Sequence, residues 1–364
     1  MQLLARVREA AARGGEPLVD LGRGNPDVPP PAHVIEALVE SARTATSAVH
    51  GYAPFAGLPE LRAALAARYR NTYGVEVDAD REVALVPGTK SALAELVLCL
   101  AQRGDTVLLP DPYYPDYPSG VALAGAALDY LPLDVTRGYA PRFDLASRER
   151  VAAVFLNYPC NPTAAAVPDG AFAEAVAFAR ETGATVIHDF AYGDLVFDGR
   201  APQSFLAEPG ARDVGVELFS MSKSYGMAGW RVGFVVGNAE LVARLQTLQD
   251  HVRAGIFVPL QHAAVAALTG PQDTVAERVE LYERRRDRVL AAVGGLAAPC
   301  EGTFYVWLRL PDGLTPERLL DEHRLVVAPG KGFGPSGAGW ARISLATPDE
   351  LIDLGLERLL SALR

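Results

Sequence analysis

Between residues 82 and 220 the chain alternates short, uniformly apolar runs with longer segments of helical periodicity. The apolar runs are EVALV (82–86), TVLLP (106–110), VAAVFLN (151–157), TVIHD (185–189) and VELFS (216–220). Strands that are apolar on both faces and are separated by helices are typical of a parallel sheet covered by helices. The pattern therefore predicts an α/β architecture for this part of the chain.

The pattern changes after about residue 260. The segment from Gln261 to Val293 reads as helical and is long enough to bridge two domains. Short strands follow in GTFYVWLRLP, RLVVAPG and ARISLA, and the chain ends in the helical pattern DELIDLGLERLLSAL. A chain of 364 residues exceeds what one small core usually holds. We expect a large domain over residues 40–265 and a small α+β domain made of residues 1–39 and 266–364.

Composition and charge narrow the class of protein. Hydrophobic residues make up 49% of the chain, and the net charge of −10 argues against a partner that is nucleic acid or an anionic membrane. The beginning, MQLLARVREAAARGG, has no long apolar stretch, so we expect a soluble, cytoplasmic protein. Cys99, Cys160 and Cys300 are widely spaced and form no CxxC pair, which predicts reduced thiols and no metal site.

Distinctive polar and aromatic residues follow each of the five apolar runs. PGTKSAL follows the first run, DPYYPDY the second and YPCNPT the third; Asp189 ends the fourth, and SMSKSYGMAGWRVGF begins at the end of the fifth. Ligands of parallel α/β sheets bind outside the carboxyl ends of the strands. We therefore expect these five loops to form the rim of one active site.

Part of this rim suits a phosphate. Backbone N–H groups and the Thr89 hydroxyl stand at a helix N-terminus after Gly88, which is a natural anion cradle. Ser220 and Ser222 add hydroxyls, and Arg231 adds a fork of donors.

The rest of the rim suits an aromatic aldehyde. Tyr114 offers a flat face to a ring, and Asp189 can hold a proton on a ring nitrogen. Asn161 and Tyr192 can donate to a ring oxygen. Lys223 can form an imine, provided that its pKa lies well below the usual value of about 10.4. Phosphate, ring nitrogen, phenolic oxygen and aldehyde together describe pyridoxal 5′-phosphate (PLP).

Over almost its whole length the chain resembles the class I/II aminotransferases, PLP enzymes of fold type I. The resemblance is carried by ordered motifs: LGRGNPD (21–27), GYAPFAGLPELRAALA (51–66), PGTKSAL (87–93), DPYYPDY (111–117), NYPCNPT (157–163), HDFAYGDL (188–195), SMSKSYGMAGWRVGF (220–234), GTFYVW (302–307) and ARISLA (341–346). MAGWRVGF and LQDH are most similar to the branch of alanine-, aspartate- and diaminopimelate-type enzymes.

The resemblance implies a large domain with a mostly parallel, seven-stranded sheet covered by helices, plus a small α+β domain. It also implies a homodimer with shared active sites. The implied activity is a ping-pong transfer of an amino group between an L-amino acid and a 2-oxo acid, with 2-oxoglutarate or pyruvate as the expected acceptor. A C–S β-lyase and a non-catalytic PLP-binding regulator use the same fold and remain alternatives.

The resemblance also implies roles for individual residues. The catalytic residues would be Lys223, the Schiff-base lysine and proton carrier, with Asp189 at the pyridinium nitrogen and Tyr192 at the ring oxygen. The implied cofactor-binding set is Gly88, Thr89, Lys90, Tyr114, Asn161, Asp189, Tyr192, Ser220, Ser222, Lys223 and Arg231, with Tyr52 reaching the phosphate from the neighbouring subunit. The implied substrate-binding set is Arg342, which holds the α-carboxylate, with Asn161 and Gly24.

Several assignments have rivals. Tyr113 competes with Tyr114 for the ring face. Lys90 is either a solvated residue of a first helical turn or, as in some bacterial aspartate aminotransferases, the reader of a distal carboxylate, a role for which Arg23 and Arg253 compete. His188 is expected to be a packed strand histidine. The segment GFGPSG (332–337) follows no strand-to-helix unit, so we expect a loop.

Overall fold

A computed structural model describes residues 2–364 of the chain, with side chains from residue 5 onward. The strands are β1 Val19–Asp20, β2 Val83–Val86, β3 Thr106–Asp111, β4 Ala127–Asp134, β5 Ala140–Pro141, β6 Val151–Asn157, β7 Thr185–Phe190, β8 Gly215–Ser220, β9 Gly233–Gly237, β10 Tyr305–Arg309, β11 Leu325–Val326, β12 Ala328–Pro329 and β13 Trp340–Ser344. The α-helices are α1 Gln2–Ala12, α2 Ala32–Arg43, α3 Ser47–His50, α4 Pro59–Arg68, α5 Thr89–Leu100, α6 Tyr117–Ala124, α7 Ala171–Thr182, α8 Ala211–Val214, α9 Met221–Ser224, α10 Ala239–Val252, α11 Val258–Thr269, α12 Asp273–Val293, α13 Pro316–His323 and α14 Asp349–Ala362.

The large sheet has the strand order β2-β9-β8-β7-β6-β3-β4-β5. Strands β4, β3, β6, β7 and β8 pair in parallel, whereas β9 runs antiparallel to both β8 and β2. Seven of these strands form the mostly parallel sheet that the resemblance implied. The two-residue strand β5 adds an antiparallel eighth at the β4 edge.

Helices cover both faces of this sheet because its strands are apolar on both sides. In β2, Val83 and Leu85 belong to the core that also contains residues of α4, α7 and α11. Ala84 and Val86 point the other way, into a core shared with α5, α6 and α10. Both faces are therefore buried, and the carboxyl ends of the strands are where polar groups can reach a ligand.

A second core lies around the small sheet β10-β13-β12 and helices α12 and α14. Strand β1, near the beginning of the chain, pairs in parallel with β11 and so joins this unit. Helix α2 instead packs with α11: the Ser41 hydroxyl lies 2.8 Å from Nδ1 of His262. The predicted limits at residues 39 and 265 both fall within helices, and the domain boundaries stay a prediction.

The helical segment expected from residue 261 onward consists of two helices. Helix α11 ends at Thr269 and α12 begins at Asp273. Pro271 separates them, because proline lacks an N–H group and disfavours helical geometry in the residue before it.

Helix α12 holds the N-terminal strap, residues 22–29, against the site. Arg278 donates to the carbonyl groups of Val28 and Pro29, at 3.0 and 2.5 Å. Two turns further along α12, Arg285 donates to Asp27 at 2.7 Å. The strap carries Gly24, so these contacts set the position of a residue that lines the site.

Cys160 and Cys300 are buried and Cys99 is half-buried, and all three are free thiols. Among residues 2–364, no helix combines the length and the apolarity needed to cross a bilayer.

Candidate active site

A cavity of about 390 Å³ opens at the carboxyl ends of the strands of the large sheet. The predicted site residues that line it are Gly24, Thr89, Lys90, Tyr114, Asn161, Asp189, Tyr192, Ser220, Ser222, Lys223, Arg231 and Arg342. Gly88 lies directly behind Arg231. Tyr52 is the exception: it does not line this cavity, and its side chain is 92% exposed. The structure thus brings all but one of the predicted residues together.

Lys223 stands in the short helix α9, directly after β8. Ser220 caps this turn, because its hydroxyl accepts from the N–H group of Ser222 at 3.2 Å. The Lys223 amine donates to the carbonyl group of Gly24 at 3.0 Å. Burial, followed by the charges of Arg342 and Arg231, lowers the pKa of Lys223 to about 8. An amine with that pKa is deprotonated about 300 times more often at neutral pH than an ordinary lysine, which is the property that a nucleophile or a base needs.

Asp189 is the buried carboxylate at the end of β7. One oxygen accepts from the Tyr117 hydroxyl at 2.9 Å, and the other accepts from the N–H group of Ala191 at 3.2 Å. Burial raises the pKa of Asp189, and these two hydrogen bonds oppose the rise. A carboxylate fixed in this way would be stabilised by a cationic N–H partner in the cavity.

The N-terminus of helix α5 forms an anion cradle beside Lys223. Gly88 caps the helix with φ of 79°, and no side chain caps the first turn. The positive φ of Gly88 favours glycine, and an added Cβ would lie 2.1 Å from Nη2 of Arg231, so a larger residue would displace this guanidinium. The free N–H groups, the hydroxyls of Ser220 and Ser222 and the Arg231 guanidinium are the donors that a phosphate needs.

Arg342 faces the cavity from β13 of the three-stranded sheet. Its Nη1 donates to Oδ1 of Asn161 at 2.7 Å, and its Nη2 donates to the carbonyl group of Gly22 at 3.0 Å. The guanidinium stacks on the Tyr305 ring, with Cζ 3.9 Å from the ring centroid. Within the described residues its buried Nε has no hydrogen-bond partner. A buried cation with a spare donor is suited to a substrate carboxylate.

The aromatic residues of the DPYYPDY motif have different positions. Tyr114 lines the cavity and packs edge-on against Tyr117, with ring centroids 5.5 Å apart. Tyr113 stacks instead on Tyr130, at 6.1 Å and an interplanar angle of 10°, and does not line the cavity. The geometry therefore favours Tyr114 over Tyr113 as the residue that faces a bound ring.

Of the three candidate readers of a distal carboxylate, only Lys90 lines the cavity. Its amine pairs with Asp116 at 2.8 Å, and its side chain is 62% exposed. Arg23 pairs with Asp20 at 2.7 Å, and Arg253 pairs with Glu95 at 3.4 Å.

Sequence reasoning missed several residues of the site. Tyr117, which holds Asp189, and Tyr305, which stacks on Arg342, lie in motifs that were recognised but received no role. The two consecutive aromatic residues of GTFYVW were an available signal, since one of two neighbouring strand residues must point to each face. His188 is fully buried, and its Nδ1 lies 2.8 Å from Glu217, as expected of a packed strand histidine.

The residues around the cavity fit PLP. The cradle at α5 suits its phosphate, Asp189 suits its ring nitrogen, and the Lys223 amine suits its aldehyde. Together with the sheet order, this combination defines the class as PLP-dependent enzymes of fold type I.

The chain belongs to the class I and II aminotransferases: the model of the family "Aminotransferase class I and II" matches residues 16–359. The chain is 42% identical to the L-glutamine–4-(methylsulfanyl)-2-oxobutanoate aminotransferase of Bacillus subtilis, over 96% of this chain and 89% of that protein. It is 41% identical to the LL-diaminopimelate aminotransferase of Desulforudis audaxviator, over 98% of this chain and 94% of that one.

A search of solved structures leads to the same family. The substrate-bound BacF structure from Bacillus subtilis superposes with a TM-score of 0.93, at 39% identity, over 99% of this chain and 95% of that one. The protein is therefore a PLP-dependent aminotransferase that moves an amino group between an amino acid and a 2-oxo acid.

Proposed function

We propose that the cavity carries out both halves of a ping-pong transamination, with Lys223 as the group that bonds to the cofactor and moves the proton. The observation that carries the proposal is the Lys223 amine, whose pKa is lowered to about 8, in one cavity with Asp189 and Arg342. Both half-reactions use the same cavity, because the amino acid and the 2-oxo acid each carry an α-carboxylate for Arg342.

When bound, PLP supplies a ring that accepts electrons from the substrate Cα as its proton leaves. Asp189 would hold the proton on the ring nitrogen, and Tyr192 and Asn161 would hold the ring oxygen. Arg342, oriented by its bond to Asn161, fixes the α-carboxylate and so the direction of the Cα–H bond. The substrate amine would replace the Lys223 amine at the cofactor. The freed Lys223 amine would then take the Cα proton, and its lowered pKa lets it act as a base near neutral pH.

A direct test mixes the holoenzyme with single amino acids and follows its absorbance. We expect the cofactor band to be replaced by that of the aminated cofactor, and a 2-oxo acid to restore it. The Lys223→Ala protein should lose more than about a thousandfold in rate. Pyruvate and ammonia released from a cysteine conjugate would identify a lyase instead, and turnover like the wild type in Lys223→Ala would exclude the proposed role.

We further propose that Lys90 reads the distal carboxylate of an acidic substrate or of 2-oxoglutarate. Two observations support it: Lys90 lines the cavity, and its salt bridge to the half-buried Asp116 is open to solvent on the lysine side, so a substrate carboxylate can compete for the Lys90 amine. A partly exposed pair of this kind contributes only about 0–1 kcal/mol.

The test compares KM for 2-oxoglutarate with KM for pyruvate. Lys90→Ala should raise KM for 2-oxoglutarate about tenfold or more and leave pyruvate nearly unchanged, because a contact to a charged group contributes about 1.5–3 kcal/mol. Arg23→Ala is the control, since Arg23 does not line the cavity. Equal losses for both acids would remove Lys90 from this role.

The names of the relatives suggest which amino donors to compare. L-Glutamine and LL-diaminopimelate appear in those names. We propose that the donor is likewise an L-amino acid with a polar distal end, since the Lys90–Asp116 pair offers both a donor and an acceptor at the cavity mouth. A panel that ranks these donors against alanine and leucine measures this preference.

We also propose that the enzyme is a homodimer in which Tyr52 reaches the phosphate of the neighbouring site. The supporting observation is its exposure of 92%, with Phe55 and Phe257 also exposed. Burial of such an apolar surface stabilises association. Full activity of a monomer at nanomolar concentration, shown by light scattering, would contradict this.

A further inference from the structure

Tyr305 is a cavity residue that the proposed mechanism does not use. It lies on β10 and is 2% exposed. Its hydroxyl oxygen is 2.9 Å from the hydroxyl oxygen of Tyr192, and its ring lies against the Arg342 guanidinium. On the opposite side, a Cβ at Gly24 would come within 2.1 Å of the same hydroxyl. The Tyr305 side chain therefore lies between Tyr192, which is assigned to the cofactor, and Gly24 and Arg342, which are assigned to the substrate.

Each tyrosine hydroxyl has one proton to donate, so the hydrogen bond between the two tyrosines can have only one donor at a time. Either hydroxyl can donate in an isolated pair. Burial raises the pKa of Tyr192 well above its usual value, so Tyr192 keeps its single proton near neutral pH. In the proposed function that proton is donated to the ring oxygen of PLP. The proton between the two tyrosines must then come from Tyr305.

We propose that Tyr305 is a positioning residue, which donates to Tyr192 and so strengthens the hydrogen bond from Tyr192 to the cofactor. The proposal rests on the proposed function, because it assumes that Tyr192 contacts the ring oxygen. Hydrogen bonds in a chain polarise one another in a low-dielectric site, so a hydroxyl that accepts a bond becomes a better donor.

This arrangement has a consequence at Lys223. The ring oxygen is negatively charged and lies beside the nitrogen that joins Lys223 to the cofactor. A donor to that oxygen withdraws negative charge from it and lowers the pKa of the nitrogen. Tyr305 would thereby help to keep the nitrogen poised to release its proton near neutral pH, although it does not contact the cofactor itself.

The test is a pH titration of the holoenzyme, in which absorbance reports protonation of the cofactor-bound Lys223 nitrogen. We compare the wild type, Tyr192→Phe, Tyr305→Phe and the double variant. Phenylalanine keeps the ring on which Arg342 stacks, so Tyr305→Phe isolates the hydroxyl. Tyr192→Phe should raise this pKa by about 1–2, the loss of a bond to a charged group. Tyr305→Phe should raise it by about 0.1–0.6, because cooperativity contributes roughly 10–30% of that bond.

The double variant is the decisive sample, because Tyr305 is proposed to act only through Tyr192. In the double variant, the pKa of the cofactor-bound Lys223 nitrogen should equal the value found in Tyr192→Phe alone. Tyr158→Phe is the matched control: Tyr158 is buried and its hydroxyl donates to the carbonyl group of Tyr139, outside the cavity, so it should leave the pKa unchanged.

The outcomes distinguish a failure of the role proposed for Tyr305 from a failure of the contact assigned to Tyr192. No change in Tyr305→Phe, with a clear rise in Tyr192→Phe, would overturn the role of Tyr305. A rise in Tyr305→Phe that persists in the double variant would overturn it as well, because Tyr305 would then act by another route. No rise in Tyr192→Phe would overturn both the role of Tyr305 and the contact assigned to Tyr192. Amino transfer measured on the same samples reports separately whether the proposed function holds.

Discussion

The lowered pKa of Lys223 predicts that this residue destabilises the cofactor-free protein below about pH 8. Its pKa falls from 10.5 to about 8, first through burial and then through Arg342 and Arg231, while Asp189 acts in the opposite direction. In the protein without cofactor, a protonated Lys223 amine therefore lowers the free energy of unfolding. Lys223→Met keeps a side chain of similar length and removes the charge, which makes it the appropriate perturbation.

The magnitude follows from the difference in pKa between the folded and unfolded states. A difference of about 2.5 corresponds to about 3.4 kcal/mol at full strength, and because Lys223 lines an open cavity, solvent screening should reduce it to about 2–3 kcal/mol. Between about pH 8 and pH 10.5 the unfolded chain binds the proton and the folded protein does not, so rising pH favours the folded wild type. Below pH 8 both states bind it, and the full penalty remains.

The assay is urea unfolding of the two cofactor-free proteins at matched concentration, from pH 7 to pH 10. At pH 7 the free energy of unfolding of Lys223→Met should exceed that of the wild type by about 2–3 kcal/mol beyond any offset that is independent of pH. The gap should close as the pH rises from 8 towards 10.5. A gap that stays constant over this range would refute a lowered pKa.

Two further substitutions test the surroundings of Lys223. Asp189→Asn keeps the size of the side chain but removes the charge that stabilises a proton on the ring nitrogen. Steady-state kcat should therefore fall at least about tenfold while the cofactor stays bound. Unchanged turnover would mean that the ring nitrogen has another partner. Gly24→Ala would bring a Cβ within 2.1 Å of the Tyr305 hydroxyl. If the site absorbs an overpacking cost of about 1–3 kcal/mol, kcat/KM should fall about 5- to 150-fold. Gly229→Ala is the control for Gly24→Ala, since no atom lies within 4 Å of its added Cβ, and equal losses in both variants would disprove the steric argument.

The strands of the large sheet that are apolar on both faces were predictable, because continuous burial leaves a clear pattern. The pattern missed three strands of this sheet, β4, β5 and β9, which have weaker signals; β5 is only two residues long. Strand β4, Ala127–Asp134, lies near the edge of the sheet, contains Pro132 and is largely exposed at its start. Strand β9, Gly233–Gly237, is five residues long and begins within the last two residues of the motif that drew attention to Lys223. The break at Pro271 was available in the sequence, but the apolar periodicity on both sides of it concealed the end of a helix.

The residues of the site were predictable as a group because each follows a strand, and parallel strands place their carboxyl ends at one edge. Their partners were not predictable in the same way. That Tyr117 donates to Asp189, or that Asp116 pairs with Lys90, depends on side-chain directions at separations of 72 and 26 residues. The proposed contact of Tyr52 lies beyond a single chain, and it stays a prediction.

The central claim is that Lys223 is the residue that bonds to the cofactor. The sequence contains three lysines, Lys90, Lys223 and Lys331, and two of them, Lys90 and Lys223, line the cavity. Borohydride reduction of the holoenzyme makes the bond between cofactor and lysine permanent, and peptide mass spectrometry then locates it. We expect the cofactor on Lys223 and unmodified peptides for the other two lysines. Cofactor attached to Lys90, with Lys223 unmodified, would contradict it.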